Sequence, residues 1–426
     1  MSEKKHKEIR RKERTQKEVP KVNKISDVKM AYIMYGKKAF IVPIVVMVIL
    51  GAIIWGIVHN ARKGSAPQET ADNEKEQINY IWGEIKPGKK NDKNYTTVTS
   101  SDGVDVPVPT GYTASSASDE NSVSGGFVIY EGTEAVTDSN KWEAQCNRNQ
   151  YVWIPIADVS DMYWRDQTTG KKYGTWYNFN QFATTYVKGA NHSYEPQTTS
   201  SDIQSTYLTQ YLNGMSREDF LMEMEIDFDK MLNSVATYGG YYIGRYQTGD
   251  LSQATPVVKR INTDIGSQTW YTMWKKARKL SGTSAGVQMI WGIQWDETLK
   301  WLIDTGEKTY AEIASDSTSW GNYRNNSFTY YTNTSKSTAT KASNSSTRIP
   351  SGAYEGANAN NVFDLAGNVW DWTCESYGSG ASDYRYERGG SYVFNGGSGN
   401  YAAYRSYDNP YYSDVYYGLR CTLYIK

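Results

Sequence analysis

Twenty consecutive uncharged, apolar residues, Ala39–Val58 (AFIVPIVVMVILGAIIWGIV), constrain this chain before anything else does. At 1.5 Å per residue such a run makes a helix about 30 Å long, the thickness of the hydrocarbon layer of a bilayer. Pro43 falls near one end, where a membrane helix tolerates it. The run is too long for the core of a signal peptide, and the basic segment before it is too long for an n-region. A single transmembrane helix over 39–58 is therefore expected. Of the 46 Lys/Arg and 46 Asp/Glu, 13 and five fall in Met1–Lys38, leaving 33 basic and 41 acidic groups for the rest. Basic residues flank the cytoplasmic end of membrane helices, so residues 1–38 read as a cytoplasmic tail resting on anionic lipid, with the C-terminal body outside the cell. An acidic body has no electrostatic footprint for nucleic acid, which excludes that class of partner.

Residues 59–103 are polar and mixed in charge, without an apolar period, and read as an extracellular stalk. From Val104 the texture changes to that of one mixed α+β domain running to the C-terminus. Val104–Tyr112, Gly126–Tyr130, Tyr151–Ile156 and Gly239–Tyr246 are short β-rich runs bounded by turn residues. Ser216-Arg217-Glu218-Asp219 resembles a capping box, and Phe220, Met224, Phe228, Met231 and Val235 follow at helical spacing. Two further helices are expected over Thr269–Leu280, with Trp270, Trp274 and Ala277 inward, and Trp295–Ile303, with Trp295, Leu299 and Leu302 inward. Met162–Tyr211 and Thr305–Ile349 are rich in Ser, Thr, Asn and Tyr and read as loop. No repeat of solenoid length is evident.

Only three histidines occur, His6, His59 and His192, the first two outside the body of the fold. That excludes a His-rich metal centre and a Ser-His-Asp triad. The three cysteines, Cys146, Cys374 and Cys421, form no CxxC pattern. Either one disulfide forms, with Cys374–Cys421 as the pair and Cys146 free, or all three are small buried apolar residues.

The last part of the chain carries the sharpest motifs: Asp364–Thr373 (DLAGNVWDWT), Arg388–Tyr392 (RGGSY) and Gly418–Cys421 (GLRC). With "YVWIPI", "GGYYIGRYQTG" and "MIWGIQWDETLKWL" upstream, they resemble the formylglycine-generating-enzyme, or sulfatase-modifying-factor, domain over roughly 104–426. The resemblance implies a loop-rich variant of the C-type lectin fold with a tryptophan-rich core, in which Trp370 and Trp372 are core residues and Arg405 and Arg420 are internal partners. The family's oxygen-dependent enzymes hold copper with a cysteine pair just after the Gly-Gly-Ser anchor. Phe394 and Gly399 stand at those positions, and neither can bind a soft metal, so neither copper nor that catalysis is expected. The family's calcium loop matches Asp364, Gly367, Val369 and Asp371. Two carboxylates and two backbone carbonyls at that spacing suit a hard cation in a structural role. The same carboxylates could instead satisfy backbone amides in a tight turn.

Between the last two anchors the composition becomes Tyr, Asn, Ser, Gly and Asp. This stretch also resembles the proteins diversified by retroelements, whose mutagenised AAY codons end in a pyrimidine. Such codons cannot encode Lys, Glu, Gln, Met or Trp, and none of these five occurs from Tyr392 to Tyr417. Short Tyr-rich loops also arise without such a system. Rigid tyrosines interleaved with small polar residues are the composition of antibody-like paratopes. The residues expected to contact a ligand are Tyr384, Tyr386, Phe394, Asn395, Ser398, Asn400, Tyr401, Tyr404, Tyr407, Asp408, Asn409, Tyr411, Tyr412, Asp414 and Tyr416, within a variable-like segment 384–417. Tyr392 and Tyr404 could equally be core by alternation with the anchors. The expected protein is thus a bacterial single-pass surface protein whose non-catalytic domain binds a protein or glycan on another cell, phage or host. An envelope-modifying enzyme would need a concave site with perturbed titratable groups. A purely structural surface component would have its tyrosine face covered by the insert Met162–Tyr211.

Overall fold

The computed structural model describes residues 94–168, 170–177, 179, 186–187, 193–194, 205–377 and 384–426. The tail 1–38, the apolar run 39–58 and the start of the stalk lie outside them. Among the described residues no helix is long and apolar enough to cross a membrane.

Two sheets organise the mixed, loop-rich body. The first has six antiparallel strands in the order Ala285–Met289, Cys421–Ile425, Gly240–Gly244, Gln150–Pro155, Val128–Glu131 and Tyr112–Ala114. Its central strands are buried on both faces, which is why Gln150–Pro155 and Gly240–Gly244 read as continuous apolar-aromatic runs instead of alternating ones. The second sheet runs Ser193–Tyr194, Trp370–Tyr377, Arg385–Arg388, Arg405–Asp408, with Tyr417–Leu419 parallel to Trp370–Tyr377. Trp370–Trp372 of the GNVWDW motif and Arg388 of the RGGS motif therefore sit on adjacent strands of one sheet, and the GLRC motif passes from that sheet into the other.

Helix Arg217–Tyr238 begins where its sequence says it should. Ser216 Oγ accepts the amide of Asp219, worth about 1 kcal/mol for a cap of this type, and Gly239 closes the helix in the left-handed region. All five of its expected inward residues are buried. The helices Trp270–Ala277 and Gly292–Asp304 likewise turn Trp270, Trp274, Trp295, Leu299 and Leu302 into one core shared with both sheets.

Three sequence expectations change. The folded body starts before Val104: Tyr95–Thr99 pairs in register with Asp105–Pro109, and Tyr95 is buried against Tyr238. Thr305–Ile349 is not plain loop. It holds the helix Tyr310–Ala314, capped at both ends of its first turn by Thr309 and Glu312, and the hairpin Phe328–Tyr331/Thr338–Lys341. The strands of the hairpin turn Thr329, Thr338 and Thr340 to solvent and are short, which hid them from a hydrophobic reading. Within the insert, Tyr163–Arg165 pairs with Lys172–Gly174, and Ser205–Tyr211 is a helix. The three cysteines are free, so the Cys374–Cys421 disulfide does not form. Cys421 Sγ accepts from Thr248 Oγ1 at 3.3 Å, while Cys374 Sγ donates to Met289 O at 3.6 Å.

Candidate functional site

The anchors work by holding main chain. Arg420 donates from Nε to Asp371 Oδ2 at 3.1 Å, from Nη1 to Gly244 O, and from Nη2 to the carbonyls of Phe363 and Asp364. It thereby ties the first sheet to the DLAGN turn. Asn368, in the left-handed region, donates to Gln247 Oε1 and Ile349 O and accepts from Asn322 and from the Ile349 amide. Gly390 needs its freedom: its φ is +79°, and a Cβ there would lie 2.1 Å from Asn400 O.

Beneath the tail lies a four-member charge network. Asp296, at the start of helix Gly292–Asp304, accepts from Arg388 Nη2 at 2.7 Å through Oδ1, and from Arg405 Nη2 and the Tyr177 amide through Oδ2. Glu375 accepts from Arg405 Nε at 3.2 Å. Burial alone would depress Arg405, but Asp296 and Glu375 beside it hold its guanidinium above the usual arginine range. Arg388, deeper and next to Arg405, is pushed below that range. Its Nε donates to the carbonyl of Tyr404 and its Nη2 also to that of Ala403, while Nη1 has no hydrogen-bond partner. Trp295 Nε1 binds the carbonyl of Ala402. Buried anchors thus grip the tail by its backbone, as sequence motifs alone cannot reveal.

The sequence-selected ligand residues mostly reach solvent. Phe394, Tyr404, Tyr407 and Tyr412 are 42%, 36%, 46% and 39% exposed, and Asn395, Ser398 and Asp414 are exposed too. Tyr384, Asn400, Tyr401, Asp408, Asn409, Tyr411 and Tyr416 are half-buried. Tyr386 is buried at 4% exposure: it is the cross-strand partner of Tyr407, on the same face of the sheet, and is covered edge-on by that ring. Tyr392 is core and Tyr404 is not. One cluster joins Tyr377, Tyr384, Tyr386 and Tyr407, with Tyr377 and Tyr407 stacked at 3.8 Å. Sequence reasoning missed Tyr377, and it missed Trp176 and Phe179 of the insert, which come to the same place. Trp176 lies 5.2 Å from the Arg405 guanidinium, and Tyr207 packs on Tyr411 at 4.8 Å. The insert therefore borders the tyrosine surface while leaving its outer rings exposed.

Asp364 and Asp371 are fully buried. Burial lifts both carboxyls to about 6, against the pull of the Gly352 amide and Arg420 on the former and of Arg420 and Gln247 on the latter. One oxygen of each, Oδ1, has no hydrogen-bond partner. Two open carboxylate oxygens fit the donor set of a hard cation. Val369 O already accepts from Gln247 at 2.7 Å, and Arg420 answers part of the charge. Among the described residues no group of three His, Cys, Asp or Glu side chains is poised for a metal.

Comparison with known proteins bears on the same region. Among curated proteins no match is found. Two solved structures are similar over part of the chain. The crystal structure of CarF is 14% identical and covers 44% of this chain and 87% of that one, at a TM-score of 0.29. Treponema denticola variable protein 1 is 16% identical and covers 43% and 84%, at a TM-score of 0.25. The family model of the sulfatase-modifying factor enzyme 1-like domain matches residues 274–425, which span both sheets' C-terminal strands, the charge network and the tyrosine surface. Over those residues the chain is similar to the sulfatase-modifying factor enzyme 1-like domain.

Proposed function

We propose that this domain is a non-catalytic binding module displayed at a bacterial cell surface, and that its C-terminal tyrosine surface contacts a protein or glycan ligand. One observation carries the reading. Of the eight large apolar side chains exposed among the described residues, six are Tyr377, Phe394, Tyr404, Tyr407, Tyr412 and Val415, all from the last 50 residues. Exposed aromatic rings concentrated on one stretch mark a contact surface. The chemistry of the thiols supports binding over turnover. Phe394 and Gly399 stand where the family's enzymes hold copper, and burial pushes the Cys421 thiol up to about 12, leaving no thiolate at neutral pH.

The same reading takes in four further features. The run 39–58 anchors the chain, with residues 1–38 cytoplasmic; the domain has a C-type-lectin-type fold; a calcium ion held by Asp364, Gly367, Val369 and Asp371 braces the turn; and 384–417 is diversified by a retroelement. The experiment is an array of glycans and bacterial, phage and host surface proteins probed with the full chain. The expected result is retention of a ligand that Tyr407→Ala or Tyr412→Ala weakens without changing the fold. Retained ligand indifferent to both substitutions refutes the tyrosine surface as the contact. Sequencing the flanking DNA for a reverse transcriptase and an adenine-rich near-copy of codons 384–417 tests diversification.

A further inference from the structure

A cavity of about 290 Å³ opens on the tyrosine surface, between the second sheet and the insert. Trp176 and Phe179 of the insert face Tyr377, Tyr386, Arg405 and Tyr407 of the sheet across it. Its size sits just below the ~300–1,000 Å³ of small-molecule sites, enough for one ring-sized group. Its floor is electrically balanced, since Asp296 and Glu375 are both spent on Arg388 and Arg405. No uncompensated acid awaits a cation, and no net positive charge draws an anion. Arg405 commits Nε to Glu375 and Nη2 to Asp296, while Nη1 has no acceptor among the described residues. A ligand seated on Arg405 must therefore offer acceptor oxygens. The walls present ring faces and edges at near right angles, with Tyr386 edge-on to Tyr407 at 81°. Phenol hydroxyls, able to donate or accept, accompany them.

We propose that this cavity is a saccharide subsite that takes one uncharged pyranose ring of a glycan. A pyranose carries C–H faces that pack on aromatic rings and a rim of hydroxyls that can accept from the guanidinium. A peptide aromatic ring would fill the same space but leave the Arg405 N–H covered and unpaired, which the sugar avoids. Trp176 stacks on Arg405 from the side of the insert and fixes the direction in which that N–H is offered. The subsite rests on the reading that the C-terminal surface binds a ligand, and it selects the glycan from the two ligand classes.

The test titrates the full chain with the methyl glycosides of glucose, galactose, mannose and N-acetylglucosamine, observed by saturation-transfer NMR and calorimetry. At least one glycoside is expected to bind. Tyr407→Ala and Trp176→Ala should each weaken it about tenfold, Tyr407→Phe within about threefold of wild type, since one buried aromatic contact supplies roughly that share. Met222→Ala, exposed on helix Arg217–Tyr238, should leave it unchanged. No glycoside binding overturns the saccharide proposal, and a protein ligand lost on Tyr412→Ala would then still uphold the wider surface. Sugar binding that survives Tyr407→Ala and Trp176→Ala overturns the cavity as its place.

Discussion

Glu387 offers the most decisive test of how the second sheet is packed. It lies on strand Arg385–Arg388 opposite Ser406, 3% exposed, and its Oε2 has no hydrogen-bond partner. Burial pushes its carboxyl up to about 8, against the hydrogen bond from Ser406 and with help from the Asp408 charge. An unfolded glutamate ionises near 4.5, so between about pH 4.5 and 8 the folded chain holds a proton that the unfolded chain has lost. Stability contributed by that proton is complete at low pH and is lost as pH rises through this window, at about 1.4 kcal/mol per pH unit and about 5 kcal/mol in all. Glu387→Gln keeps the shape and removes the titration. Urea unfolding of wild type and variant, followed by tryptophan fluorescence across pH 4 to 9, isolates the effect, because Asp364 and Asp371 contribute the same sign to both proteins. The variant should gain on wild type steadily through the window and hold a constant lead above it. Parallel stability curves would refute the burial of this carboxyl and with it the packing of Trp372, Tyr417 and Asp408 around it.

Gly390→Ala should cost about 3 kcal/mol, strain plus a clash with Asn400 O, whereas Gly111→Ala, at φ +92° with open space around it, should cost about 1 kcal/mol; equal costs in denaturant melts would count against the close approach at Gly390. If Asp364 and Asp371 hold calcium, the ion at a hundredfold excess over its Kd should add about 2.7 kcal/mol, abolished by Asp364→Asn; a melting temperature indifferent to calcium and chelator would leave Arg420 as the only cation of that turn. Alkylation without reductant should label Cys146 in the native chain and all three cysteines in denaturant, and two thiols staying unlabelled in denaturant would restore the disulfide.

The fold was legible wherever an element buries one full face or both. Ser216 and the inward series Phe220 to Val235 announced their helix, and the strand runs at 128–131, 150–155 and 240–244 announced the first sheet. It was illegible where short strands turn threonine to water and only half-bury the rest, as at Phe328–Tyr331 and Thr338–Lys341. The site was half legible. Tyrosine content marked the tail, but Trp176 and Phe179 lie more than 200 residues from it in sequence and carry no local signal of where they will pack. Asp296 reads as one more polar residue on an amphipathic helix, and only the tertiary structure sets it under two arginines.

That buried arrangement decides which residues of the tail are free to change. Arg388, Trp295 and Ser317 hold the tail through main-chain atoms of residues 402–404, and the Tyr392 amide binds Asn368 O. Main-chain grips do not depend on the side chains they hold. Arg405 is the exception, since its guanidinium pairs Asp296 and Glu375, which are 0% and 1% exposed. Tyr404→Ser, at a side chain 36% exposed, should lose only its ring contact with Tyr401, about 0.5–1.5 kcal/mol. Arg405→Ser should cost about 3–5 kcal/mol, because it strands buried carboxylates. Denaturant melts of both variants separate the two cases. If Tyr404→Ser unfolds as readily as Arg405→Ser, that ring is structural, and a surface free to vary on a fixed scaffold is the wrong description of this tail.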